Sequence, residues 1–391
     1  MPSVSGYLRR GLAPLLVHDI AVGCRIGLYE RARTCNYVRA WKEPCGGMST
    51  EIYGEMAKGH IEWEAAPQWT SPASWTDDNP LKPRRLVWNF TMSGLNECLK
   101  DPKPYTLPRL PNILAEIPPG GFLAKADFQK AYKQLPVHPD DRPFLSFHMS
   151  STSDFLSWRV LPFGLKTGPS LLLRHTAAMQ AFMPFATYCY VDDWLIGGEK
   201  AAEGREAVFD ERRVAENFGE FRELTEDLGW PVHKVVEPTQ ELTYLGFDIN
   251  TRLRTIRIPD DKWHRLKWRI IDALRYGTRT QSGRGKCDVR YIDELLSVLP
   301  YFAPFFPPSL VPELFVGCSS VMRTETERQM GGVPVYHVYG SREQRGSREM
   351  CELRGALEVA YRDVRQQIGW DEYIRGAGRR VDRDREWGYQ T

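Results

Sequence analysis

The chain has 391 residues, 42% of them hydrophobic, and a formal charge of +2. That length and apolar content support two or three domains with buried cores, which excludes a disulfide-stapled miniprotein. Near-neutrality excludes binding of nucleic acid by bulk positive charge, so any phosphate contact must come from locally grouped Lys and Arg.

Residues 1–48 are of mixed composition, and the apolar run Leu12–Val17 after Arg9-Arg10 is too short for a secretory leader. A helix is predicted over Thr50–Lys58, capped by Ser49 and left through Gly59. The polar loop Trp69–Leu81, with Asp77-Asp78-Asn79-Pro80 as turn chemistry, leads into a strand at Arg85–Phe90. Proline-punctuated Pro102–Pro119 holds a short helix, Leu110–Glu116. An apolar strand then starts at Phe122-Leu123-Ala124 and reaches Asp127, which would also serve as N-cap of a helix over Phe128–Gln134. Phe144–Met149 and Phe155–Val160 alternate as paired strands, and Pro169–Met183 reads as a helix.

Ala186–Gly197 flanks Asp192-Asp193 with β-branched and aromatic residues, the pattern of two short strands joined by a tight turn. A solvated Asp-Asp turn is one reading. The other is a metal site, because adjacent acids in apolar surroundings are costly unless a hard cation such as Mg²⁺ takes their oxygens. Two-metal phosphoryl transfer needs acids converging from separate strands on ions roughly 3.5–4 Å apart. Asp127 supplies the second strand.

Further on, Ala201–Leu228 shows helical spacing of Val208, Val214, Phe218, Phe221 and Leu224. Leu242–Ile249 and Thr255–Ile258 form a hairpin-like pair, followed by an amphipathic helix, Asp260–Tyr276, and a Gly/Ser/Arg-rich linker, Gly277–Asp288. The uncharged run Leu295–Pro312 carries Pro300, Pro304, Pro307, Pro308 and Pro312, which rules out a spanning helix and any membrane role for it. The end of the chain is polar, with one helix at Glu349–Ile368. Eight scattered cysteines form no Cys-x-x-Cys pair, as expected of reduced thiols in an intracellular protein of cytoplasm or nucleus.

Taken in order, the motifs resemble a reverse transcriptase (RNA-directed DNA polymerase) of a retroelement, with DIRS-type and LTR-type retrotransposon enzymes the nearest in pattern. Lys125-Ala-Asp127-Phe-Gln-Lys-Ala-Tyr132 is similar to the first palm motif, Leu161-Pro-Phe-Gly164-Leu to the LPFGL-type motif, and Tyr190-Val-Asp-Asp193 to the YxDD box. Leu228-Gly-Trp-Pro-Val-His-Lys234 resembles the next palm motif and Tyr244-Leu-Gly-Phe247 the primer-grip hairpin. Arg84-Arg85-Leu-Val-Trp-Asn-Phe and Gly94-Leu95-Asn96 resemble fingers segments, and Tyr291–Phe302 a thumb segment.

The resemblance implies an α+β right-hand polymerase with fingers, a palm built on an antiparallel sheet, and a helical thumb. Its boundaries would be an N-terminal extension at 1–54, fingers at 55–125, and palm at 126–250 with a fingers segment interleaved at 135–160. Thumb and connection would take 251–325, and 326–391 would be a polar tail with one helix and no RNase H domain. It also implies two Mg²⁺ or Mn²⁺ ions on Asp127 and Asp192, with Asp193 a nearby secondary acid, and Lys234 as proton donor to pyrophosphate. Lys82, Arg84, Arg85, Phe128, Tyr132, Phe163 and Gly164 would bind the nucleotide, Tyr132 as the gate against a 2′-hydroxyl. Tyr244, Leu245, Gly246 and Phe247 would position the primer end. The partners implied are an RNA or DNA template with primer and deoxynucleoside triphosphates. Some positions depart from the pattern: Pro72–Pro80 replaces a lysine-bearing strand, and Trp88-Asn89 stands where many relatives carry an aspartate. A catalytically inactive or domesticated nucleic-acid-binding relative is therefore the alternative reading.

Overall fold

The structure, a computed structural model, describes residues 2–41, 48–75, 86–102, 104–149, 154–202, 205–277, 290–314, 318 and 342–378. The chain divides into two compact units, residues 1–108 with 122–238, and residues 109–121 with 239–391. Residues 109–121, expected in the fingers, thus cluster with the C-terminal part.

The first unit carries β1 (Ile61–Trp63), β2 (Ala73–Trp75), β3 (Leu86–Trp88), β4 (Leu123–Phe128), β5 (Ser146–Met149), β6 (Asp154–Trp158), β7 (Thr187–Tyr190), β8 (Asp193–Ile196) and β9 (Val232–Thr239). Its main sheet has the order β7-β8-β4-β9, and smaller sheets are β1-β6-β5 and β2-β3. Along β4 the side chains alternate: Ala124, Ala126 and Phe128 are buried, whereas Lys125 and Asp127 face the other side, half-buried. This is the period-two consequence of a pleated strand with one face on the core. The buried face meets the helix Glu211–Asp227, which Asp210 caps by accepting from the Arg213 N–H. Its Val214, Phe218, Phe221 and Leu224 are buried, as their spacing predicts. Trp194 packs on Phe221 with ring centroids 5.3 Å apart and on Phe128 at 5.4 Å. Trp230 lies on the other side of Phe128, at 5.0 Å.

Several predicted elements shift. β4 runs through Asp127 to Phe128 and the next turn is a 3₁₀ segment, Ala131–Gln134, so Asp127 is a strand residue and not a helix cap. The predicted helix over Ala201–Leu228 starts only at Glu211; Val208 lies before it, half-exposed, with its N–H bonded to the Glu199 carbonyl. The segment before β1 is integral to the unit: Ser3 N–H donates to the Leu228 carbonyl at 2.8 Å, and Cys24 bridges to Val137.

The second unit holds β10 (Glu241–Tyr244), β11 (Phe247–Asn250), β12 (Thr255–Arg257) and β13 (Gln367–Gly369), in the sheet order β10-β11-β12-β13. The helix expected over Glu349–Ile368 spans Arg342–Asp363, and Gln367–Gly369 pairs with β12. Residues 367–378 are therefore packed structure in what reads as a polar tail. Trp370 is buried there and its Nε1 donates to the Leu114 carbonyl at 3.2 Å. Asp260–Asp272 is helical as expected and Ala273–Gly277 continues as a π turn. Pro300 lies inside the helix Arg290–Phe302.

Candidate active site

Asp127 and Asp193 are direct cross-strand partners, since β4 pairs antiparallel with β8 in that register. Tyr190 pairs Asp193 across β7 and β8, which leaves Val191-Asp192 as a two-residue turn. Val191 holds a positive φ of 63°, a conformation unusual for a β-branched residue and costing of order 1–3 kcal/mol. The turn is locked to β4 because the Phe128 N–H donates to the Asp192 carbonyl at 3.0 Å. Asp127, Asp192 and Asp193 are thereby gathered on rigid elements at adjoining strand ends.

Their charges are unevenly answered. Lys234 donates to Asp127 Oδ2 at 2.6 Å, and His233 Nδ1 lies 3.0 Å from the Asp127 carbonyl oxygen. Lys125 places its ammonium 3.2 Å from Asp193 Oδ1. Burial, then the neighbouring Asp127 charge, pushes the Asp192 carboxyl up to about 6, and burial raises Asp193 as well. Like charges held together and partly desolvated favour a bound cation, and an oxygen-only donor set suits a hard divalent ion. The residues present therefore fit the metal site that the sequence implies.

Tyr132 is half-buried; its ring lies 4.8 Å from that of Phe163, and burial followed by the Asp192 charge pushes its hydroxyl up to about 12. Phe163 is exposed beside it. Gly164 takes φ 97°, and a Cβ there would come within 3.0 Å of the Trp88 carbonyl oxygen, so the turn excludes larger residues. Asn96 fastens this loop, donating to the Gly164 carbonyl at 3.0 Å and accepting from the Lys166 N–H at 2.9 Å. The Phe128 side chain is enclosed between Trp194 and Trp230, so of this predicted nucleotide contact only the backbone is available. Lys82, Arg84 and Arg85 lie outside the described residues.

In the second unit, Leu245 (φ 44°) and Gly246 (φ 78°) form the turn between β10 and β11. Tyr301 Oη donates to the Leu245 carbonyl, and Lys262 Nζ to that of Gly246 at 3.1 Å. A Cβ at Gly246 would collide with the Lys262 ammonium and the Tyr301 hydroxyl. Phe247 stacks on Tyr301, centroids 4.5 Å apart, while Tyr244 is buried.

A separate buried cluster brings Asp19, Cys24 and His175 together. Trp230 Nε1 donates to Tyr7 Oη at 2.9 Å, Tyr7 lies 3.0 Å from His175 Nδ1, and Arg174 donates to Asp19 at 2.7 Å. Burial lowers the His175 pKa, and Arg174 already supplies the positive charge that Asp19 needs, so a hydrogen-bonded relay accounts for the cluster.

The β7-β8-β4-β9 sheet, with helices behind it and acids gathered at its strand ends, has the arrangement of the palm in a right-hand polymerase fold. Residues 82–249 match the family model described as reverse transcriptase (RNA-dependent DNA polymerase). The genome polyprotein of Petunia vein clearing virus (isolate Shepherd) is 31% identical over 137 residues, 34% of this chain and 6% of that protein. The enzymatic polyprotein of Soybean chlorotic mottle virus is 27% identical over 257 residues, 62% of this chain and 34% of that protein. The chain thus spans 6% and 34% of the length of these two relatives. Among solved structures, the foamy viral protease-reverse transcriptase dRH in complex with double-stranded DNA aligns with TM-score 0.57 and 17% identity over 87% of this chain and 51% of that one. The foamy viral enzyme in complex with an RNA/DNA hybrid aligns with TM-score 0.54 and 15% identity over 82% of this chain and 38% of that one. Members of this family use divalent metal ions. Among the described residues, no helix is long and apolar enough to cross a membrane.

Sequence reasoning passed over Lys125 as a neighbour of the acids, and it took His233 only as a competitor of Lys234 for the role of proton donor. The signal for Lys125 was present, because residues two apart on a strand share a face.

Proposed function

We propose that the chain is an RNA-directed DNA polymerase that extends a primer on an RNA or DNA template with deoxynucleoside triphosphates. The observation that carries this reading is the placing of Asp127 and Asp192 at adjoining ends of β4 and the β7–β8 turn. Two Mg²⁺ or Mn²⁺ ions, with Asp127 and Asp192 as main ligands and Asp193 as a secondary acid, would activate the primer 3′-hydroxyl and neutralise the leaving pyrophosphate. The chain's own groups do the rest by positioning and charge. Tyr132 and Phe163 form an aromatic floor for the sugar, the Phe128 backbone and Gly164 border the nucleotide, and Lys234 protonates the departing phosphate. Lys82, Arg84 and Arg85 hold the triphosphate, and the Tyr244–Phe247 turn holds the primer end. The solved foamy viral relatives carry double-stranded DNA and an RNA/DNA hybrid, which supports a duplex as the partner.

Primer extension on an RNA template, with Mg²⁺ or Mn²⁺ and deoxynucleotides, tests the proposal. Metal-dependent extension that is lost in Asp127→Asn is the expected result. A folded protein that binds template-primer and never extends it would instead favour the inactive, nucleic-acid-binding alternative.

A further inference from the structure

The acids of the site are not equivalent, and the difference is built into β4. Lys125 and Asp127 are two residues apart on that strand and share a face, while Asp193 lies directly opposite Asp127. Like charges directly opposite across a ladder destabilise it, and a long side chain on the diagonal reaches far enough to answer one of them. Lys125 does so, its ammonium 3.2 Å from Asp193 Oδ1, with side-chain exposures of only 18% and 24%. The Lys234–Asp127 pair is different: the Lys234 side chain is 68% exposed and free to swing into solvent. A half-buried pair is weakly screened and persists, whereas an exposed one yields readily to a stronger charge.

We propose that Lys125 ties down Asp193, leaving Asp127 and Asp192 as the ligands of the divalent ions, and thereby sets the metal affinity of the site. The proposal rests on the polymerase reading and names Lys125 as a positioning residue. Its consequence is a site with two effective carboxylates in place of three. Removing the ammonium would return the third carboxylate to the site and tighten cation binding.

The test is a Mn²⁺ titration of the full chain without nucleotide or template, read by the electron paramagnetic resonance of free Mn²⁺, with circular dichroism verifying each variant's fold. Lys125→Met is expected to bind Mn²⁺ about tenfold more tightly, and Lys125→Arg as wild type does. Asp193→Asn should change affinity little in the wild-type background, yet return Lys125→Met to the wild-type value. Asp192→Asn should weaken binding in both backgrounds. If Asp193→Asn weakens wild-type binding as much as Asp192→Asn does, or if Lys125→Met leaves affinity unchanged, Lys125 has no such role, while the polymerase reading stands. If the wild type itself binds no Mn²⁺, the metal site fails and this inference fails with it.

Discussion

Lys234 donates a 2.6 Å hydrogen bond to Asp127 Oδ2, so the proposed proton donor and a proposed metal ligand are partners. The pair occupies one of the carboxylate oxygens that a divalent ion would take. An ion held by Asp127 would displace the ammonium and free it for the proton transfer proposed for Lys234. Because Lys234 is mostly exposed, the pair adds at most about 1 kcal/mol to stability. Lys234→Met should therefore melt within a few degrees of wild type, while the single-nucleotide addition rate falls roughly 10²–10⁴-fold. Rapid-quench kinetics beside a thermal melt would decide it. A rate within twofold of wild type would remove Lys234 from the chemistry and leave His233 as the competing donor.

Asp192 makes stability depend on pH in a defined direction. Its carboxyl is raised in the folded protein to about 6, chiefly by burial and then by Asp127. A raised acid favours folding while protonated, so its contribution is complete below the ordinary carboxylate range and is lost as pH climbs through about 6. Without metal, Asp192→Asn should match wild type near pH 4 and become the more stable of the two by pH 7. Saturating Mg²⁺ should reverse the order, because only wild type keeps the ligand. The melting-temperature difference between the two proteins, followed across pH with and without Mg²⁺, gives the answer; a difference that ignores pH would show that Asp192 carries no such strain.

The palm was the most legible part of the chain, for a physical reason. β4 alternates over most of its length because one face is buried, β7 and β8 are short apolar strands buried nearly throughout, and the acids fall where those patterns break. The edges of elements were less legible because tertiary contacts set them. Val208 falls in the helical spacing read from Ala201 onward, yet Gly198 closes so tightly on the Val208 carbonyl that residues 205–210 pack as an extended return. β13 was invisible because a three-residue strand has no periodicity of its own and exists only by pairing with β12. Of the site, the carboxylates and Tyr132 could be read, but their counter-charges could not. Which lysine meets which aspartate depends on register, and sequence spacing gives the face without the partner across the ladder.

Tyr132 is the element of the proposed nucleotide site whose role is open to the sharpest test, because its ring is held from two sides. Phe163 packs against one side, and a Cβ on Gly168 would come 3.2 Å from Tyr132 Cε1. Tyr132→Ala removes the ring and should lower the preference for deoxynucleotides over ribonucleotides at least about tenfold. Gly168→Ala acts in the opposite sense, pressing the ring toward the sugar by a few tenths of an ångström. Since alanine favours the helix that Gly168 begins, this variant should melt no lower than wild type, yet show a higher KM for deoxynucleotides. Steady-state incorporation of matched deoxy- and ribonucleotides by both variants separates a gate from a core tyrosine. A core tyrosine would lose stability in Tyr132→Ala and leave sugar selection where it was.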